Sequence, residues 1–183
     1  KRRPSRAERV ALLARHTAAR PEIAIGADLI AGFPTETDTM FANTLALLDD
    51  CDVVHPHIFP YSPRAGTPAA RMPQVAPELV KARAARLREA AAARRSRWLK
   101  TLVGTEQDVL IERPGDRGHA PNFAEVKLSP TPFALSLSRG CTSSAPREKG
   151  QDSASTSSAR TVGEIVAVTI TGVDDGKLIG VAA

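Results

Sequence analysis

Hydrophobic positions along the chain change period several times, and each change marks an element. In residues 5–20, Val10, Leu13 and Thr17 recur at helical spacing, and Ser5 with Glu8 forms a capping box. After Arg20-Pro21 the run IAIGADLIAGF is apolar with little alternation. That pattern predicts a short strand buried on both faces, as in a parallel sheet. Residues 36–50 return to helical spacing through Phe41, Leu45 and Leu48. DVVHPHIFPY reads as a second strand, placed near an edge or a break by Pro56. Strand, helix and strand with short joints make a βαβ unit and so a parallel sheet.

SPRAGTPAARMP is punctuated as a loop, and Pro77-Glu78 opens a long helix reaching to about Val103, where Gly104 stops it. Val80, Ala84, Leu87, Ala91, Trp98 and Leu102 form its apolar stripe. Beyond Gly104 the pattern breaks into short β-type runs, EQDVLIE, AEVKL, EIVAVTIT and KLIGV. Turn chemistry at Gly115-Asp116-Arg117-Gly118 and a hairpin signal at Asp174-Asp175-Gly176 separate them, which predicts a small antiparallel barrel. Residues 129–160 are rich in Ser with little apolar periodicity and predict a disordered insertion, a hairpin on PFALSLS being the alternative. The fold class is therefore α/β followed by a small β-barrel. The expected organisation is 1–76, a connecting helix over 77–103, and a barrel over 104–183.

Charge sharpens this picture. The net charge is +5, from 25 Lys+Arg against 20 Asp+Glu, and the excess is uneven. Residues 1–20 carry seven basic residues against Glu8, and residues 78–100 carry eight against Glu78 and Glu89. A helix with this density of Lys81, Arg83, Arg86, Arg88, Arg94, Arg95, Arg97 and Lys100 suits phosphate binding, with a solvated helix as the plain alternative. The two cysteines, Cys51 and Cys141, have no CxxC spacing, so the chain itself offers neither a metal site nor a disulfide framework. No apolar run approaches the roughly 20 residues of a membrane span, and the basic start lacks a signal-peptide core. A cytoplasmic protein without a membrane partner is expected. The chain begins without Met inside a basic helix, which predicts a piece of something longer.

GADLIAGFPTET, residues 26–37, is the stretch with the most chemical content. At the end of a parallel strand, backbone groups run out of ladder partners and can bond a ligand. Gly32 would let a flat ligand approach, Pro34 would hold the turn rigid, and Thr35 or Thr37 would cap the next helix. An ordinary βα turn with a helix cap is the alternative. His55 and His57 point to one face of a strand with no third ligand nearby, so they read as core or pocket-lining residues. Cys51 reads as a small apolar residue, and Asp49-Asp50 as a solvated helix end.

Taken together, KRRPSR, GADLIAGFPTET, HIFPYSPRAGTPAARMPQV, the ARAARLREAA helix, VGTEQDVLIE, NFAEV and GEIVAVTITG…GKLIGV resemble a known family. It is the carboxyl-terminal half of the radical S-adenosylmethionine tRNA methylthiotransferases. HIFPYSPRAGTPAARMPQV is nearest the branch acting on threonylcarbamoyladenosine at position 37, the isopentenyladenosine branch being the alternative. The resemblance implies that residues 1–76 are the last part of a parallel β/α radical-SAM barrel and that 104–183 form an OB-like TRAM barrel. By the same resemblance Gly26, Asp28, Ile30, Gly32, Phe33 and Pro34 line the S-adenosylmethionine pocket, with Phe59, Pro60 and Tyr61 near it or the substrate. Arg2 or Arg3 would approach cofactor or RNA. Arg83, Arg86, Arg94, Arg95, Arg97 and Lys100 would meet phosphates of the tRNA, whose anticodon stem-loop is the expected partner, while the TRAM barrel would grip it by shape and charge.

Three departures from the family pattern bear on function. Thr35 stands where the family has Gly in GFPGET, and residues 129–160 interrupt the barrel. The CxxxCxxC that anchors the catalytic [4Fe–4S] cluster is absent and would lie upstream of Lys1, with a second cluster domain. The chain alone is thus expected to hold no catalytic or metal residue and to be inactive. A stand-alone RNA-binding module and a degenerate remnant with an exposed strand edge are the rival readings.

Overall fold

A computed structural model describes residues 5–129 and 161–182. The expectations for Arg2, Arg3, Cys141 and the PFALSLS segment lie outside the described residues. Helix α1 spans Arg6–Ala19 and opens with the capping box, Ser5 accepting from the Glu8 amide while the Glu8 carboxylate accepts from the Ser5 amide. Strand β1 (Ile25–Ala31), helix α2 (Asp38–Asp50) and strand β2 (Val53–Pro60) follow, and β1 pairs with β2 in parallel. Thr37, rather than Thr35, caps α2 by accepting from the Met40 amide. After a single 3-10 turn over Ala69–Arg71 comes α3, Pro77–Thr101, started by proline at its first position.

The run around β1 is not buried on both faces. Ile25, Ala27, Leu29 and Ala31 turn toward the helices, whereas Gly26, Asp28 and Ile30 are exposed. Phe41 and Leu48 of α2 and Ala84, Leu87 and Ala91 of α3 cover the first face, with Val10 and Leu13 of α1 packed against them. Cys51 is buried in this core, where desolvation raises its thiol pKa, consistent with a small apolar role. With two strands and helices on one side, the sheet leaves its other face open.

The carboxyl-terminal part is a closed five-stranded barrel: β3 (Glu106–Glu112), β4 (Arg117–His119), β5 (Glu125–Leu128), β6 (Ile165–Asp174) and β7 (Lys177–Ala182), in order β3-β4-β5-β7-β6. It is mixed rather than purely antiparallel, because β5 and β7 run parallel. The β6–β7 hairpin turns through Asp175 and Gly176, both at positive φ, as the sequence predicts. Strand β4 falls on residues expected to form a turn. Its Gly118 lies so close to β3 that a Cβ would sit 2.1 Å from the Leu110 carbonyl oxygen, so the glycine permits pairing there.

Helix α3 belongs to both cores. Leu87 and Ala84 sit under the sheet, while Leu99 is fully buried among Val109, Ile111, Val126, Val168, Ile170 and Leu178 of the barrel. No helix among the described residues is long and apolar enough to cross a membrane.

Candidate functional site

Parallel register places matching residues of β1 and β2 side by side. Gly26 pairs with His55, Asp28 with His57 and Ile30 with Phe59, which assembles an open face from the predicted residues. Ile30 and Phe59 are 51% and 50% exposed. With Pro60, Tyr61, Arg64 and Thr67 they border an open cleft of about 440 Å³. Phe33 meets Tyr61 edge to face at 5.3 Å between ring centres. The Tyr61 hydroxyl is buried without a hydrogen-bond partner among the described residues.

Gly32 and Pro34 do not belong to that wall; both are buried behind it. Gly32 has φ +74°, and a Cβ there would lie 2.5 Å from Val80 of α3. The glycine therefore serves a left-handed turn and close helix packing, not ligand approach as its strand-end position suggests. Its N–H is also taken, donating to Glu36 Oε2 at 3.0 Å, and the Ala31 carbonyl accepts from the Tyr61 amide at 2.8 Å. Ligand contact at this strand end falls to side chains more than to the backbone.

Thr35 retains the left-handed conformation, φ +68°, despite its branched Cβ. Its side chain is exposed, and the capping role belongs to Thr37. Thr35→Gly should therefore stabilise the fold by about 1 kcal/mol, from a left-handed penalty of about 1–2 kcal/mol less glycine's larger unfolded-state entropy. Urea unfolding of the pair of proteins checks this; a loss of stability would assign Thr35 a compensating contact.

The basic residues of α3 separate into unlike sets. Arg83 is only 3% exposed, donating to Glu36 Oε1 at 2.9 Å, the Glu36 carbonyl at 3.0 Å and Asp38 at 2.6 Å. It is thus withdrawn from any nucleic acid, contrary to its expected place on the RNA face. Arg94 pairs with Asp52, and Arg97 with Asp49 at 2.8 Å. Asp50 pairs with Arg6 of α1, so the acidic end of α2 docks its neighbours instead of being merely solvated. Arg86 is exposed and stacks over Phe41 at 5.3 Å, and Lys100 is exposed.

His55 ties sheet, helix and barrel together. Its Nε2–H donates to the Asn122 carbonyl at 2.9 Å, and its Nδ1 accepts from Arg95 at 2.7 Å, an arrangement for the neutral ring. Burial lowers its pKa, with Arg95 and His57 acting the same way against the Asn122 bond. Trp98 packs edge-on at 5.2 Å. Among the described residues no cluster of three metal-ligating side chains occurs. Sequence reasoning missed the neighbouring barrel surface, where Phe123, 74% exposed, borders a cleft of about 580 Å³ with Leu110 and Ile165. Asp108 and Glu112 rim it, so its charge does not suit phosphate.

No family model matches the chain. It is 44% identical over 128 residues to the threonylcarbamoyladenosine tRNA methylthiotransferase MtaB of Rickettsia prowazekii (strain Madrid E). That match covers 70% of this chain and 30% of the relative, so the chain spans under a third of that protein's length. By this similarity the chain belongs to the MtaB-type family.

Proposed function

We propose that this chain is part of a tRNA methylthiotransferase that adds a 2-methylthio group to N6-threonylcarbamoyladenosine at position 37. The observation that carries the reading is the 44% identity to MtaB over 128 residues. The open face supports it. Ile30, Phe33, Phe59 and Tyr61 offer flat apolar surface for an adenine, Gly26 and Asp28 continue the same open face, and the buried Tyr61 hydroxyl, without a partner among the described residues, could bond a polar group. These residues fit S-adenosylmethionine, with Pro60 bordering the cleft and Gly32 and Pro34 shaping the turn from behind. S-adenosylmethionine, together with a reduced [4Fe–4S] cluster, supplies the radical chemistry that opens the C2–H bond of the adenosine.

The chain's own part is to bind and orient. Its two cysteines cannot give three cluster thiolates, so those ligands come from outside these residues and the chain alone is inactive. Residues 1–76 form part of a radical-SAM barrel, the segment 77–103 containing α3 connects, and 104–183 form the TRAM unit that holds the anticodon stem-loop. The exposed cations Lys81, Arg86, Arg88 and Lys100 of α3 are available to its phosphates, with the half-buried Arg95 beside them. Cytoplasmic tRNA is the partner.

Mass spectrometry of tRNA nucleosides, from cells with and without the complete reading frame containing this chain, tests the reading. The expected result is loss of the 2-methylthio group from threonylcarbamoyladenosine. Loss from isopentenyladenosine instead would replace the branch, and no change would overturn the enzymatic reading in favour of a stand-alone RNA-binding module.

A further inference from the structure

Helix α3 carries cations on both sides of its buried stripe, and the two sides differ in what neutralises them. Arg83, Arg94 and Arg97 pair with carboxylates in α2 and just beyond its two ends. Lys81, Arg88 and Arg95 stand on the other flank at seven-residue spacing, about 10.5 Å per step along the axis. Among the described residues, Lys81, Arg88 and Arg95 have no carboxylate within salt-bridge distance, Arg95 meeting instead the imidazole of His55 and the ring of Trp98, 6.0 Å from its centre. This flank faces the edge of β2 that has no neighbouring strand among the described residues, across two open clefts of about 490 and 400 Å³ that share Arg88. Lys81 lies in the first cleft and Arg95, with His57 and Phe59, in the second.

We infer that this groove holds a single-stranded segment of RNA, with Lys81, Arg88 and Arg95 on successive backbone phosphates. The inference rests on the RNA-binding half of the proposed function and narrows the eight cations of the charge run to three. Charge complementarity favours a polyanion, and the exposed ring of Phe59 at the groove's mouth offers a base a stacking surface. An acidic peptide added as a strand suits the edge poorly. The Ile58 carbonyl points outward, 3.4 Å from Arg88, so Pro56 and Pro60, of the same parity, stand where outward N–H donors would be. RNA needs no such ladder.

Fluorescence polarisation with a labelled anticodon stem-loop RNA, over a salt series, tests the assignment on the 183-residue chain. K81Q/R88Q changes two exposed side chains and should weaken binding by about 10-fold or more at moderate salt. The slope of log K against log salt should shrink by roughly 1.4, at about 0.7 per single-strand phosphate contact. K81R/R88K should restore both values. R9Q/R15Q, which removes the same charge from exposed positions on α1, should change affinity little. Equal losses in the two neutralised proteins, or none in K81Q/R88Q, would overturn the groove while leaving RNA binding itself intact. Absence of any binding by the unaltered chain would overturn the RNA half of the proposed function as well. Polyglutamate that binds tighter than RNA and is lost in K81Q/R88Q would give the groove to an acidic protein instead.

Discussion

Replacing Arg83 with Met should lower stability by about 3–5 kcal/mol, among the largest effects expected of a single substitution here. Arg83 and Glu36 expose 4% and 9% of their side chains, so solvent screens their attraction little. The guanidinium holds both the Glu36 carboxylate and its backbone carbonyl, while Glu36 Oε2 accepts the Gly32 N–H. Removing the cation leaves a buried carboxylate without its counter-charge, and that uncompensated burial sets the cost. Asp38, 94% exposed, adds little because water competes for it. E36Q in the R83M background removes the stranded charge, so the double variant should be more stable than the sum of single losses predicts. Urea unfolding of the four proteins measures the coupling. A loss under about 1 kcal/mol for R83M would show that the pair is hydrated and contributes like a surface bridge.

Arg83 also shows where the sequence is silent. In a helix with eight cations, nothing local distinguishes one that neutralises a buried carboxylate from one that meets solvent; the partner lies 47 residues away. Leu99, likewise missed, is fully buried only because a second core wraps the end of α3. Elements that depend on near neighbours were legible: the Ser5–Glu8 cap, the parallel βαβ unit and the Asp175-Gly176 hairpin turn. The alternation of β1 was not, because its open face sets Gly26 and Ile30 beside the single polar Asp28 and has no cover among the described residues. The candidate cofactor face divides the same way. Register brings Gly26, Asp28, Ile30 and Phe59 together as the motif implies, but the direction in which Gly32 turns is set by α3.

Gly32→Ala is expected to cost about 2–5 kcal/mol, and its origin can be separated into two parts. The left-handed φ of +74° penalises any residue with a Cβ by about 1–2 kcal/mol. The new methyl would also meet Val80 Cγ2 at 2.5 Å and its Cβ and Cγ1 at 2.9 Å, an overpacking cost of about 1–3 kcal/mol. V80A removes the two Cγ contacts and leaves the Cβ contact, so G32A should be less costly in that background than alone. Equal costs in both backgrounds would assign the whole penalty to the backbone. The consequence reaches the candidate site because Gly32 follows β1 directly and its N–H is held by Glu36. Pushing α3 away at Val80 shifts the helix that carries Arg83 and Arg88, so one methyl strains the turn behind the candidate face and the groove beside it together.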